Sequence, residues 1–223
     1  MQKQTSDTLR AIIQRTQIDS SYLYRSDALL EEKIRFMASH CDKVLDVGKS
    51  SRQRYAYFGA QQALTLDINQ FEGYPDIVDD LCHLEHDLSG QFNGIVCLAV
   101  IEHVYDPLAA VGNLEAMLKP GGYCLAYVPF LYRYHAPTDL KYQDFFRYSR
   151  DGVAYLFRNF SEVTVYPYRG SYSTIFNLLG FWKDQVERRF GQGINRRIDQ
   201  LGNLVHKRSN VLQASGYYIW AVK

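Results

Sequence analysis

Four places in the chain carry residues that could do chemistry together. In "VLDVGKSSRQRY", residues 44–55, an apolar run ends in Asp46 and Gly48 and passes into small and polar residues. Asp67 ends the next apolar run, Asp79 and Asp80 end the third, and Glu102 with His103 follows the fourth, "GIVCLAV". In an open parallel sheet, ligands collect outside the carboxyl ends of the strands where the strand order switches, so these four tips would share one rim. Asp67 stands 21 positions beyond Asp46, near the separation of about 20 at which a second-strand acid meets ribose hydroxyls in dinucleotide-binding folds. A carboxylate suits that task because it can accept two hydrogen bonds from a vicinal diol. Taken alone, the same acid reads equally as a solvated strand cap.

The elements that must position these residues follow from periodicity. "KVLDV", "ALTLDI", "DIVDDL", "GIVCLAV" and "GYCLAYVPF" are short apolar runs without alternation, as expected of strands buried on both faces of a parallel sheet. Helices are predicted over 7–17, over 26–40 with Ser26 as its cap, and over 106–118 with Leu108, Val111, Leu114 and Leu118 on one side. "KPGG" ends the last of these. A helix capped by Ser149 and the strand "EVTVYPY" come next, then two amphipathic helices over 174–207 broken at "GQG", and the final strand "GYYIWAVK". The layout is α/β: a doubly wound, mostly parallel seven-stranded sheet with helices on both faces and a helical insertion before the last strand.

Composition narrows the classes. The 223 residues suit one domain with a substantial core. A formal charge of +1 does not call for nucleic acid or an acidic partner. Cys41, Cys82, Cys97 and Cys124 are widely spaced, three of them in or beside apolar runs, and read as reduced thiols. The opening stretch is too polar for a signal peptide and no apolar run is long enough to span a bilayer, so a cytoplasmic protein is expected. "CHLEH", residues 82–86, matches no common closed zinc spacing, and the reading holds no metal.

The ordered set "VLDVG", "LTLDIN", "PDIVDDLCHLE", "VCLAVIEHVYDP" and "AMLKPGGYCLAYVPF" resembles the class I S-adenosylmethionine-dependent methyltransferases, in particular their small-molecule group, over about residues 43–160. The resemblance implies S-adenosylmethionine as cofactor, a cofactor-binding core over 43–170, N-terminal helices over 1–42, the insertion over 171–210 and the last strand over 216–223. It implies that Asp46 and Gly48 form the turn beside the methionine part, that Asp67 holds the ribose hydroxyls, that Asp80 and Leu81 lie against the adenine, and that Ala99 to Glu102 and His103 form the wall near the sulfonium. Lys49, facing the donor's carboxylate, Ser50, small enough for close approach, and Ile68 beside Asp67 are further candidates for binding the donor. The turn departs from the family's G-x-G-x-G, since Lys49, Ser50, Ser51 and Arg52 follow Gly48. That loss would be severe for a pyrophosphate, which needs glycine amides around an anion, and weighs less for a donor without phosphate.

Methyl transfer mainly requires alignment in a dry cleft, and a hydroxyl acceptor adds the need for a base. His135, His103 and Asp139 are the candidates, with His135 first because "VPFLYRYHAPTD" follows the fifth strand directly. The bland alternatives are a loop histidine at 135 and a packing histidine at 103. Tyr132, Tyr134 and Arg147, in the aromatic stretch 130–153, are candidates for holding the acceptor. The expected partner is a small-molecule acceptor such as a sugar, a glycan intermediate or a secondary metabolite, methylated at oxygen. Arg188, Arg189, Arg196, Arg197, Lys207 and Arg208 lie beside apolar residues in the last helices, a surface for covering the domain, for a second copy of the chain or for an anionic membrane. Two rivals stand beside the enzyme reading: a non-catalytic adenosyl-ligand-binding or partner protein of the same fold, and an NAD-dependent reductase, which would need the missing glycines.

Overall fold

A computed structural model describes residues 2–48, 56–59, 62–136, 142–179, 189–191, 193–205 and 211–223. In chain order the elements are α1 (Gln2–Arg15), β1 (Gln17–Ile18), α2 (Ser26–His40), β2 (Val44–Val47), β3 (Ala63–Asp67), β4 (Ile77–Val78), β5 (Phe92–Leu98), α3 (Pro107–Met117), β6 (Leu118–Pro129), α4 (Arg150–Leu156), β7 (Glu162–Tyr168), α5 (Ser171–Leu178), α6 (Gly193–Val205) and β8 (Gly216–Val222). The sheet has eight strands in the order β1-β7-β8-β6-β5-β2-β3-β4, one more than the seven expected. The addition is the two-residue β1, too short to leave a periodic signal, which pairs parallel with β7 at the sheet edge.

β8 runs antiparallel to both β6 and β7, and every other pairing is parallel. From β2 the chain moves outward through β3 and β4 and then returns to β5 on the opposite side of β2. The strand order therefore switches between β2 and β5, where side chains can diverge and leave a crevice. The unalternating apolar runs are explained by burial: all four residues of β2 and most of β5 are covered on both faces. Phe92, Ile95, Leu114, Phe157 and Phe160 fill one side, and Leu30, Ile34 and Met37 of α2 cover Val44, Val96 and Leu125 on the other.

Local signals hold with three adjustments. Ser26 does not cap α2 but is buried in its first turn, with Arg25 preceding it and making no capping bond. Asp106 caps α3 by accepting from the Ala109 N–H at 3.0 Å, with Pro107 at the first helical position. The buried face of α3 is Ala110, Val111, Leu114 and Met117, while Leu108 is exposed, because the helix turns its small Ala110 toward the sheet. "KPGG" lies at the start of β6, where the register with β5 shifts, instead of in a free loop. Ser149 caps α4 through the Gly152 N–H.

The connection from β6 to α4 is long, and hydrogen bonds tie its far end to the 3₁₀ turn after β5 (Ile101–His103). The N–H groups of Phe145 and Phe146 donate to the Glu102 carbonyl at 2.9 and 3.1 Å, and the Tyr148 hydroxyl donates to the Ile101 carbonyl at 2.9 Å. Past β7, the buried Asp199 of α6 accepts from the N–H groups of Gly170, Tyr172 and Ser173, capping α5 from another helix. No helix among the described residues is long and apolar enough to cross a membrane.

Replacing Asp199 by alanine strands those three buried donors and should lower unfolding free energy by about 2–4 kcal/mol. Urea unfolding checks this: the midpoint falls while the slope stays constant, and Asp199→Asn, which keeps one acceptor, loses less.

Candidate active site

The switch point holds a cleft of about 260 Å³, a little below the roughly 300–1,000 Å³ usual for small-molecule sites. Its floor is the end of β2. Gly48 turns there at φ +69°, and a Cβ at this position would meet Val100 Cγ2 at 2.6 Å. Two constraints coincide, since L side chains disfavour that φ and no space exists for one. Opposite it, Ala99 also takes a positive φ, 56°, just after β5. A non-glycine residue in that region is held against local strain, which the Ala99 N–H bond to the Tyr127 carbonyl at 3.0 Å helps to maintain.

Asp67, at the end of β3, lines the cleft, as does Ile68 beside it. Its Oδ1 accepts from the Asn69 N–H at 2.8 Å and its Oδ2 from the Tyr74 hydroxyl at 2.9 Å. These bonds fix the carboxylate's orientation and leave further lone pairs for a ligand. Asp80 is oriented similarly: Oδ1 accepts from the Cys82 N–H at 2.8 Å and Oδ2 from the Tyr105 hydroxyl at 2.9 Å. Asp79 is used internally. Burial alone would raise its pKa, but hydrogen bonds from the N–H groups of Glu85, His86 and Asp80 and from the His86 ring outweigh that and lower it. Asp67, Asp79 and Asp80 make this lining acidic, and it contains no lysine or arginine among the described residues.

Asp46 does not join this rim. It is fully buried within β2 and is not among the described residues that line the cleft, which Val47 and Gly48 do line. Leu81 and Ala99 do line it. Lys49, Ser50 and Asp139 fall outside the described residues, as do Arg188, Lys207 and Arg208.

At the other end of the cleft the two candidate bases separate. His103 lines the wall with Tyr142 and Phe145, and His135 packs behind it with ring centroids 4.8 Å apart. His103 Nδ1 lies 2.7 Å from the Gln143 carbonyl, so this nitrogen carries the proton and Nε2 presents a lone pair. Beside both rings sits Glu102, with a side chain only 1% exposed. Its Oε1 stands 3.4 Å from His135 Nε2 and 3.8 Å from His103 Nε2, and neither carboxylate oxygen has a hydrogen-bond partner among the described residues. The sequence suggested Glu102 as part of the cofactor wall; the fold turns its side chain into the histidine pair. No spacing rule links 102 and 103 to 135, which is why the grouping was missed in the sequence.

His135 is clamped from its far side by Asp144, whose Oδ2 accepts from the His135 N–H at 2.9 Å and stands 3.3 Å from Nδ1. The Glu102 carboxylate raises the His135 pKa against the opposing effect of burial, with the Arg133 carbonyl and Asp144 adding to it. The Arg147 guanidinium holds Asp144 down to about 2. Arg147 is also spent on the carbonyls of Tyr132 and Arg133. Tyr132, Tyr134 and Arg147 are not among the described residues lining the cleft; Tyr134 is exposed, and Arg147 with Tyr132 supports His135.

A family described as a methyltransferase domain matches residues 22–176. Among curated proteins, the ubiquinone biosynthesis O-methyltransferase of Marinobacter nauticus is 26% identical over 95 residues, spanning 43% of this chain and 37% of that protein. Among solved structures, a SAM-dependent methyltransferase from Archaeoglobus fulgidus aligns over 88% of this chain and 92% of its own, at 18% identity and TM-score 0.52. Phosphoethanolamine N-methyltransferase 2 of Haemonchus contortus, solved with S-adenosyl-L-methionine, aligns over 81% of this chain and 48% of its own, at 15% identity and TM-score 0.50. These structural likenesses speak to the fold.

Two outcomes follow from the geometry. Gly48→Ala should destabilise by about 2–4 kcal/mol from the φ penalty and the Val100 overlap together, and in a double-mutant cycle with Val100→Ala the pair should be less destabilised than the sum by about 1 kcal/mol or more. In NMR titration, His135 should titrate above the ordinary imidazole value of about 6.5, and Glu102→Gln should lower it more than Asp144→Asn. Because the folded pKa is the raised one, His135 stabilises fully below about pH 6.5 and loses that contribution as pH rises through its folded value.

Proposed function

This chain belongs to the methyltransferase-domain family, and we propose that it moves a methyl group from S-adenosylmethionine to a hydroxyl oxygen of a small-molecule acceptor. The observation that carries this reading is the cleft at the strand-order switch, in which the oriented carboxylates of Asp67 and Asp80 face a glycine turn. An acidic wall of that kind attracts a positively charged donor and repels a pyrophosphate, so it argues against a dinucleotide.

Asp67 would hold the ribose hydroxyls with the lone pairs that Asn69 and Tyr74 leave open. Asp80 and the backbone of Leu81 would meet the adenine. Gly48, bare of a side chain, would let the methionine part approach the backbone. When bound, S-adenosylmethionine supplies a methyl group on a positive sulfur that is already strongly electrophilic. The chain's task is then alignment and the removal of one proton.

His103 is the residue proposed to take that proton, at Nε2, because it lines the cleft and its Nδ1 is committed to Gln143. The buried Glu102 carboxylate would stabilise the imidazolium so formed. His135, one layer back, positions Glu102. Val100, Val104 and Phe145 supply apolar wall that excludes water from the reacting atoms. Tyr142, beside His103, offers an amphipathic surface for a sugar, a glycan intermediate or a secondary metabolite. Transfer to oxygen is favoured by the need for a base here and by the curated relative, itself named an O-methyltransferase.

Calorimetry with S-adenosylhomocysteine and with NADH tests the donor. Binding of the first and not the second is expected, with Asp67→Asn weakening it about tenfold or more, a loss of about 1.4 kcal/mol. A variant that bound as tightly as the parent would refute the ribose role. Once an acceptor is found, His103→Gln should lower kcat by about 10²-fold while donor affinity holds, and equal losses in both would overturn the assignment.

A further inference from the structure

We propose that Glu102, His103 and His135 form a binding site for one divalent transition-metal ion, with two imidazoles and one carboxylate as ligands. The donor atoms are His103 Nε2, His135 Nε2 and Glu102 Oε1, which lie within 4.8 Å of one another. Bond lengths of about 2.0–2.2 Å place ligands of a tetrahedral ion about 3.4 Å apart. The Glu102–His135 separation already equals 3.4 Å and the Glu102–His103 separation is 3.8 Å, and the two imidazole nitrogens, within 4.8 Å of each other, must draw together around the ion.

The hydrogen bonding around the trio points the same way. His103 gives its Nδ1 proton to the Gln143 carbonyl at 2.7 Å. His135 Nδ1 faces two acceptors, the Arg133 carbonyl at 3.2 Å and Asp144 Oδ2 at 3.3 Å, against one donor, Arg147, at 3.5 Å. Both rings therefore direct the Nε2 lone pair inward, in the manner of metal-bound histidines oriented by a carbonyl or carboxylate behind them. Three lone-pair donors then converge with no donor among the described residues hydrogen-bonded to either Glu102 oxygen. A buried carboxylate in that position is costly unless a positive charge faces it, and a divalent ion supplies one. Imidazole and carboxylate together suit zinc and its neighbours and leave room for a fourth ligand.

His103 is the member that lines the cleft, so the open position faces the acceptor end. There the ion would bind the acceptor hydroxyl and acidify it, its proton leaving to water, in place of proton uptake by His103. This use rests on the methyltransferase reading; the existence of the site does not.

The test is Co²⁺ titration of the full chain after dialysis against a chelator, followed by visible ligand-field absorption and by metal analysis. About one equivalent should bind, and Zn²⁺ should displace it. Glu102→Gln and His135→Gln should each weaken binding about tenfold or more, whereas His86→Gln, on a separate loop, should not. His103→Gln serves as a further variant should either of the first two fail to fold. Absence of a ligand-field band in the parent, or equal binding by Glu102→Gln, overturns the site. S-adenosylhomocysteine binding is measured on the same samples: its failure with Co²⁺ bound overturns the donor reading and leaves the metal site standing, and the reverse result overturns the metal site alone.

Discussion

The ends of β2 and β5 approach so closely that position 48 cannot carry a side chain: one would overlap Val100 at 2.6 Å, and the backbone there is left-handed. This contact is a direct consequence of the strand order. The chain leaves β2 toward β3 on one side and returns as β5 on the other, so two neighbouring parallel strands send their following segments apart. Everything assigned to the site hangs from this divergence: Asp67 at the end of β3, Asp80 beyond β4, and the 3₁₀ turn after β5.

Polar groups at the two ends of the cleft are organised differently. At the end formed by β3 and β4, each carboxylate is held by a nearby N–H and by a tyrosine hydroxyl, Tyr74 for Asp67 and Tyr105 for Asp80. Such carboxylates are pre-oriented acceptors that still face the cleft. At the opposite end the Glu102 carboxylate is buried, stands 3.4 and 3.8 Å from two imidazole nitrogens and has no hydrogen-bond partner among the described residues. Burial of that carboxylate is offset by a proton on a neighbouring imidazole or by a metal ion among the three side chains, so the site's chemistry depends on what occupies that small space. The surrounding framework is firm, because Arg147 fixes Asp144, Asp144 fixes the His135 backbone, and the Gln143 carbonyl fixes His103.

Legibility differed between these two ends for a physical reason. Asp67 and Asp80 follow short apolar runs, and a parallel strand delivers whatever follows it to the same rim, so their shared position could be read from spacing. Asp46 shows the limit of that rule. One residue separates it from Gly48, yet Asp46 is buried inside the strand while Gly48 lies in the turn beyond it and lines the cleft, and the rim argument treats both alike. His135 looked like the stronger base because its loop follows β6 directly; hydrogen bonds from Phe145 and Phe146 to the Glu102 carbonyl instead bring Gln143 and Tyr142 beside the cleft and leave His135 behind His103.

The sequence by itself determined the alternation of strands and helices, the buried parallel sheet, the cap at Ser149, and the acids that end β3 and follow β4, because each depends on periodicity or on neighbours a few residues apart. Only the tertiary structure decided the edge strand β1, the burial of Asp46, the cap that Asp199 supplies to another helix, and the meeting of Glu102 and His103 with His135. Those rest on contacts between residues 26 or more positions apart, or on how a side chain is buried in its strand, and the local pattern that builds each element carries no record of either.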